Sequence, residues 1–411
     1  MQGIFLFAFR NARWLLGGLL LTFFSSFGQT FFISLFSGEI RAAFQLSDGE
    51  FGAIYMAGTL ASAVTLIKLG KTLDRFSISA VSLCVICALA IACLGMSFVN
   101  SWMLLLVVIY ALRLFGQGMM THTSQTAIGR WYDADRGRAI SLTSMGHQIG
   151  EALFPAIVLV LLGLYDWRVT WQICAVALVV VAMPSIVLLM RVEHRPNVDG
   201  HLKIANKTRD WTRGEVVRDG VFWILCLGIL APAFIGTSVF FHQVRIIESK
   251  GWSSNVFAFS FLILSVTTVL FTLIAGQLVD RYHARRILPV FLLPLGVACL
   301  VLGLGRDPSA IYGFMFLLAI SYGFSSAIFG TIWPETYGTA HLGSIRAVAV
   351  AAMVFASAIG PGITGWCIDR GVGFDFQLLV MAGYCLFAAV AMIAAVKILE
   401  GRQRSVSLRN D

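Results

Sequence analysis

Charge is what this chain has least of. Only 12% of its 411 residues are Asp, Glu, Lys or Arg, 58% are hydrophobic, and the mean hydropathy is +0.84. A water-soluble chain of this size needs more polar surface, so lipid is the implied solvent. The apolar stretches are continuous rather than alternating, which excludes an outer-membrane β-barrel. No metal-ligand cluster, nucleophile motif or phosphate-cradling loop is found, so the sequence points to no enzyme, no cofactor and no direct ATP drive. All eight cysteines lie in apolar runs; Cys84 and Cys87 have the spacing of a metal or redox pair, but with no second pair nearby they read as small packing residues.

What the chain does have is apolar length. A bilayer-spanning helix needs about 20 apolar residues, because the hydrocarbon core is about 30 Å thick and a helix rises 1.5 Å per residue. About twelve such runs are present, near 14–37, 48–68, 78–99, 102–125, 137–163, 168–191, 219–243, 253–278, 285–304, 308–331, 344–367 and 374–398. The first run follows Arg10 and Arg13 but is too long for a signal peptide, with no convincing small-residue cleavage site. The polar stretch 192–218 divides the runs six and six. The expected architecture is all-α and integral to the membrane, with twelve transmembrane helices in two pseudosymmetric six-helix bundles. Its parts are 1–191, a cytoplasmic linker 192–218 whose Thr212–Val221 end forms a short surface helix, 219–400, and a cytoplasmic tail 401–411.

The formal net charge of +9 does not point to nucleic acid. With both termini cytoplasmic, about 23 of the 30 Lys and Arg fall on the inner side, as the positive-inside rule requires. Arg191, Arg195, Lys203, Lys207, Arg209, Arg213 and Arg218 cluster in the linker, and Arg402, Arg404 and Arg409 in the tail. The basic excess sets orientation and touches anionic lipid. A bacterial inner membrane, and a monomer, fit this reading.

A polar hexapeptide repeats between membrane-length runs. Gly70-Lys71-Thr72-Leu73-Asp74-Arg75 returns as Gly276-Gln277-Leu278-Val279-Asp280-Arg281, 206 positions later. Arg138-Ala139 opens the fifth run and Arg346-Ala347 the eleventh, 208 positions apart. The near-constant offset indicates two parallel repeats of six helices.

On these residues the chain resembles the major facilitator superfamily over nearly its whole length. The family's loop signature, Gly-x-x-x-Asp-Arg with small and basic residues following, is matched by Gly70, Asp74 and Arg75 and again by Gly276, Asp280 and Arg281. Arg285 and Arg286 keep the basic continuation in the second copy; Ser77, Ile78 and Ser79 lack it in the first. The resemblance implies that these loops latch a cytoplasmic gate. Asp74 would face the amino end of the eleventh helix near Arg346, and Asp280 that of the fifth near Arg138, where the helix dipole stabilises a carboxylate by about 0.3–2 kcal/mol. The stretch Glu215–Trp223, the sequence Phe241-His242-Gln243-Val244-Arg245, and Lys250-Gly251-Trp252-Ser253 resemble the monocarboxylate and oxalate–formate porter branches. Gly146, Gly150 and Pro155 fit the small-residue pattern of the fifth helix there. The helix 1 lysine, helix 8 Asp–Arg pair and helix 11 lysine known in those branches have no equivalents here, so their roles do not transfer.

Polar residues inside apolar runs are the remaining signal. Arg113 lies mid-run in the fourth helix, where insertion of a charge costs about 2.5–3.5 kcal/mol. Gln117, Thr121 and Ser124 follow on roughly the same face. Arg113 reads either as a bidentate anchor for a carboxylate or as a structural charge bonded to helix carbonyls. His147, Gln148 and Glu151 form a second group at mid-membrane depth in the fifth helix, His147 and Glu151 one turn apart. Glu151 reads either as a proton relay, with His147, or as half of a static pair with Arg113 or His147. Gln29, with Thr22, Ser25 and Ser26, marks a polar stripe on the first helix. Tyr322, Ser325 and Ser326 on the tenth are hydrogen-bonding candidates, and His242 and Arg245 lie toward the outer end of the seventh. Substrate contacts are expected at Arg113, Gln117, Gln29, His147, Tyr322, Ser326 and His242, and proton coupling at Glu151 and His147. The expected activity is secondary transport of a small organic anion, by proton symport or anion exchange. The alternative is a proton-coupled efflux antiporter for an amphiphilic compound.

Overall fold

The computed structural model of the chain describes residues 7–132, 136–192, 210–338 and 340–410; the side chains of Asp74, Arg136, Ser254, Asp280 and residues 403–410 lie outside that description. The fold is all-helical. Ten helices among the described residues are long and apolar enough to cross a membrane: α2 (Asp48–Leu73), α3 (Ile78–Ser97), α4 (Trp102–Trp131), α5 (Gly137–Leu164), α6 (Trp167–Met190), α7 (Gly220–Phe241), α8 (Asn255–Val279), α10 (Ser309–Tyr337), α11 (Ser344–Asp369) and α12 (Phe374–Arg402). A bent pair, Ala12–Gly28 and Thr30–Phe44, makes the eleventh, α1, and a shorter apolar helix, Leu293–Leu304, is α9. The twelve segments are those expected, with two corrections in kind.

The first correction is α1, which is two arms meeting at 43° rather than one run. Gln29 is extended (φ −84°, ψ 156°), and tight 3₁₀ turns flank it at Ser25–Gly28 and Ser34–Phe36. The second is the ninth run. Pro289 and Pro294 break it, because proline cannot donate the helical N–H. Tight i→i+3 bonds fill the gap, and α9 proper starts with Pro294 in its first turn.

The chain divides into two compact units. The first holds α1–α6 together with Phe240–Leu262 and Pro361–Asp369; the second holds the rest of the second half. Within the first, α1 packs where glycine leaves room. A Cβ on Gly28 would lie 2.1 Å from the Leu112 carbonyl oxygen and 2.7 Å from the Gly116 Cα of α4. On α5, a Cβ on Gly146 would lie 2.1 Å from the Leu19 oxygen, and one on Gly150 the same distance from Ser26 Oγ. These are small-residue contacts that let membrane helices approach backbone to backbone. Thr22 Oγ1 donates to the Thr143 carbonyl of α5, and Ser124 Oγ of α4 donates to the Gly18 carbonyl at 2.8 Å. Much of the expected polar stripe on α1 therefore serves packing.

The phenylalanines of α1 also turn inward rather than toward lipid. Phe27 and Phe32 meet at 5.0 Å, Phe27 and Phe154 at 4.9 Å, and Phe36 and Trp171 at 4.9 Å, forming a buried aromatic column. α4 itself widens to a π-helix over Leu112–Met120, the segment that carries Arg113. Such insertions change helical register and are often found at functional sites.

In the second unit, α9 packs against α10 and α12, and Tyr384 of α12 donates to the Leu227 carbonyl of α7 at 2.7 Å. The short helix expected near 212–221 is Arg213–Arg218. Thr212 caps it in a reciprocal box with Glu215, and Asp219 separates it from α7. Asp219 receives both Arg402 Nη1 and Nη2, at 2.8 and 2.9 Å, and the Tyr337 hydroxyl at 3.0 Å. The last helix runs on from Phe374 to Asn410, so most of the expected tail from 401 is helical. Most of the basic linker lies outside the described residues.

The Gly28 contact makes a sharp stability prediction. Gly28→Ala is expected to lower the unfolding midpoint in detergent, by about 1–3 kcal/mol for overpacking. Gly129→Ala, where no atom lies within 4 Å, should be neutral or stabilising. Equal midpoints for the two variants would refute the tight crossing. Asp219 makes a second. The two hydrogen bonds from Arg402 hold its carboxyl below the ordinary carboxylate range. A depressed pKa stabilises above the unfolded value and is lost as pH falls through the folded one. Arg402→Gln should therefore be less stable than wild type at pH 7, and the gap should close below about pH 4. Thermal unfolding at both pH values reads it.

Candidate functional site

The break in α1 leaves the Gly28 carbonyl without its helical N–H, and lipid supplies no donor. Arg113 supplies one. It is 1% exposed, and its Nη1 donates to the Gly28 oxygen at 3.0 Å and to Thr30 Oγ1 at 3.4 Å. The Tyr55 ring of α2 lies 5.2 Å from the guanidinium carbon, within cation–π range, and its hydroxyl is 2.7 Å from Thr30 Oγ1. Two helices, α1 and α2, thus hold the Nη1 side of a guanidinium carried by a third, α4. Its Nε and Nη2 are buried and have no hydrogen-bond partner. A buried donor left unmade costs about 1–3 kcal/mol, more for a charged group. The Nε–Nη2 edge is one that binds a carboxylate bidentately, so an anion docking there recovers that energy.

His147 and Glu151 stand nearby on α5. The His147 ring meets that of Phe31, just past the break, at 6.1 Å, and its Nδ1 is buried without a partner. Glu151 is 7% exposed. Among the described residues neither Arg113 nor His147 forms an ion pair with it, so the two static pairings weighed from sequence are not formed.

A second constellation gathers at the end of the unit away from the hexapeptide loop. Asp48, at the start of α2, takes Arg41 Nη1 at 3.0 Å and Arg245 Nε at 3.6 Å, and lies 3.8 Å from His242 Nδ1. His242 Nε2 is 3.0 Å from Thr364 Oγ1. Asp369 accepts from Ser47 Oγ at 2.7 Å and from the Gly49 N–H at 3.0 Å. Gln243 donates to the Phe31 carbonyl and to Ser34 Oγ, fixing the second arm of α1. This places His242 within an ionic latch, away from Arg113's direct partners.

The other expected residues fall as follows. Gln29 is the break itself and is half-buried, as is Gln117 on the π segment. In the second unit, Tyr322 sits with its hydroxyl against Gly236, where a Cβ would lie 1.9 Å away, and Ser326 is exposed. Gly70 abuts His122 of α4, Arg75 and Arg138 are exposed, and Arg281 lies over the Tyr282 ring at 5.4 Å. A Cβ on Gly276 would meet open space, and Arg346 donates to the Gly330 carbonyl. The Asp74 and Asp280 side chains lie outside the described residues. Tyr55, Thr30 and Asp48 escaped the sequence reading. A tyrosine in an apolar run reads as an interfacial residue, and a short-loop aspartate as solvated.

Known proteins match this architecture. The model of the Major Facilitator Superfamily matches residues 18–263 and 233–409. An uncharacterized MFS-type transporter, YcxA, of Bacillus subtilis (strain 168) is 24% identical over 66% of this chain. An oxalate:formate antiporter of Oxalobacter formigenes is 23% identical over 67% of it. The chain spans 66% of the length of each of these relatives. Among solved structures, a bacterial homolog of the human lysosomal transporter Spinster aligns with TM-score 0.69 at 17% identity, covering 95% of this chain and 94% of that one. A D-xylose-proton symporter aligns with TM-score 0.71 at 16% identity, covering 93% and 96%. At these identities the structures speak for the fold alone.

The latch makes its own prediction. Arg41→Ala and Asp48→Ala should be non-additive, with a coupling of about 0.5–3 kcal/mol in a double-mutant cycle of unfolding. Additive losses would mean that the 3.0 Å pair contributes nothing.

Proposed function

We propose a function from one premise: the chain belongs to the major facilitator superfamily, and it is a transporter rather than an enzyme. The proposed cargo is a small organic anion bearing a carboxylate, moved by alternating access through proton symport or anion exchange. The observation that carries this reading is the Nε–Nη2 edge of Arg113, buried beside the α1 break and unpartnered. The Gly28–Thr30–Tyr55 cradle orients that edge before any ligand arrives, which reduces the entropy lost on binding. Gln29, Gln117 and His147 line the same region of the first unit, and Tyr322, Ser326 and His242 are the remaining proposed contacts.

Glu151 is the proposed proton carrier, with His147 one turn away. A carboxyl without an ion-pair partner is free to change protonation when an anion occupies Arg113. The hexapeptide residues Gly70, Asp74, Arg75, Gly276, Asp280 and Arg281, with Arg138 and Arg346, are proposed as a gate on the cytoplasmic side, in a bacterial inner membrane with both termini inside. The oxalate:formate antiporter supports anion exchange as one mode. The competing mode, proton-driven efflux of an amphiphile, draws on the aromatic column of α1.

Uptake into proteoliposomes from a labelled carboxylate panel, with and without a pH gradient, tests the reading. Arg113→Gln is expected to lower uptake of the best carboxylate at least tenfold, equivalent to about 1.4 kcal/mol of lost binding. Arg113→Lys should rescue little of it, because a lysine has no fork. Glu151→Gln should abolish pH-driven accumulation while sparing exchange. No response to any carboxylate, alongside export of amphiphilic cations, would replace this function with efflux.

A further inference from the structure

One cavity lies apart from the Arg113 site. It is an open groove of about 270 Å³ between the end of α2, the start of α3 and the middle of α4, lined by Leu69, Phe76, Val81, Cys84, Phe115 and Met119 among others. Its lining is almost wholly apolar. It opens along α3, where Phe76, Ala80 and Cys84 are exposed, so its mouth faces the membrane rather than the protein interior. Its floor, Phe115 and Met119, belongs to the π segment that carries Arg113.

The groove ends at the first hexapeptide loop, whose charge is one-sided. Lys68, Lys71 and Arg75 are exposed there, against the single acid Asp74, and Arg130 Nη1 donates to the Leu73 carbonyl beside them. The amino terminus of α3, capped by Ser77, adds the positive end of a helix dipole at the same place. An apolar slot closed at one end by net positive charge has the chemistry of an anionic phospholipid: an acyl chain below and a phosphate above. We propose that this groove is a binding site for one anionic phospholipid. The acyl chain lies against Phe76, Val81, Cys84, Phe115 and Met119, and Lys71 and Arg75 hold the headgroup phosphate. The site does not depend on what the transporter carries.

Photo-crosslinking tests it in nanodiscs of phosphatidylcholine doped with a phosphatidylglycerol bearing a diazirine on one acyl chain. Peptide mass spectrometry should find adducts concentrated at Phe76–Val85 and Phe115–Met119, several-fold above those from the matching phosphatidylcholine probe. Lys71→Ala with Arg75→Ala should bring the phosphatidylglycerol signal down to the phosphatidylcholine level. Cys84→Trp, which fills the slot without touching the charges, should remove adducts from both probes. Even labelling of lipid-facing residues such as Val380 and Phe387, with no headgroup preference in the wild-type protein, would overturn the proposal and leave annular lipid only. Because the headgroup comparison is made on wild type, a folding defect in either variant does not rescue it.

Discussion

The Arg113–Gly28 hydrogen bond is the interaction on which the first unit turns. In lipid every backbone carbonyl needs a donor from protein, and a span that breaks must find one elsewhere. α1 breaks at Gln29, and the Gly28 oxygen is taken by a guanidinium on α4 at 3.0 Å. The bond also accounts for the buried charge. A cation in the hydrocarbon region is tolerated when carbonyls and an aromatic face replace its water. Arg113 has Gly28, Thr30 and the Tyr55 ring for that purpose. The structural role of this arginine therefore uses only part of its guanidinium. Nη1 is engaged by the fold, and the opposite edge is left over. Only arginine can be divided this way, because a lysine presents one ammonium rather than two separate edges.

The break has a second consequence. It gives the two arms of α1 different neighbours. The first arm is locked to α4 and α5 through Gly18, Thr22 and Gly146. The second is held by Gln243 at Phe31 and Ser34, and by Asp48 through Arg41. Phe240–Leu262 and Pro361–Asp369 belong to this same unit. Glycines again decide the approach: a Cβ on Gly49 would lie 2.2 Å from Asp369 Oδ2, and one on Gly52 would lie 2.6 Å from the Pro361 oxygen. The ionic latch thus sits on a glycine-permitted backbone contact; Asp48 is its buried carboxylate, paired with Arg41, while Arg245 and Asp369 stay exposed.

Much of the fold was legible because the membrane imposes one dominant rule. Runs of sufficient apolar length locate the spans, and the repeated Gly-x-x-x-Asp-Arg marks the duplication without any structural help. What stayed hidden had no compositional signature. Ser25, Ser26, Gly28 and Thr30 look the same whether a helix is packed closely or broken, since small polar residues serve both ends. The π segment over Leu112–Met120 is invisible for a related reason: its hydrogen bonds shift by one residue while its apolar content does not change. Arg113 and Glu151 stood out because charge in an apolar run is rare. Tyr55 did not, because its partner Arg113 lies far along the chain, and Asp48 did not, because His242 and Arg245 join it from the second half of the sequence.

The two halves carry the same device in different chemistry. Gly28 and Gly236 are 208 positions apart, and Arg113 and Tyr322 are 209, close to the 206 and 208 of the hexapeptides and the Arg-Ala pairs. In each half a polar side chain from the fourth helix of the repeat reaches a glycine on the first: Arg113 at Gly28, the Tyr322 hydroxyl at Gly236. The first half broke its helix there and took a charge to satisfy the freed carbonyl. The second keeps α7 continuous through Pro232 and sets a neutral hydroxyl against Gly236. The duplicated scaffold keeps a side chain at the glycine in both halves but a charge in only one. The buried cation lies on the first repeat, and the matching position on the second is neutral and free of the desolvation that another buried cation would bring.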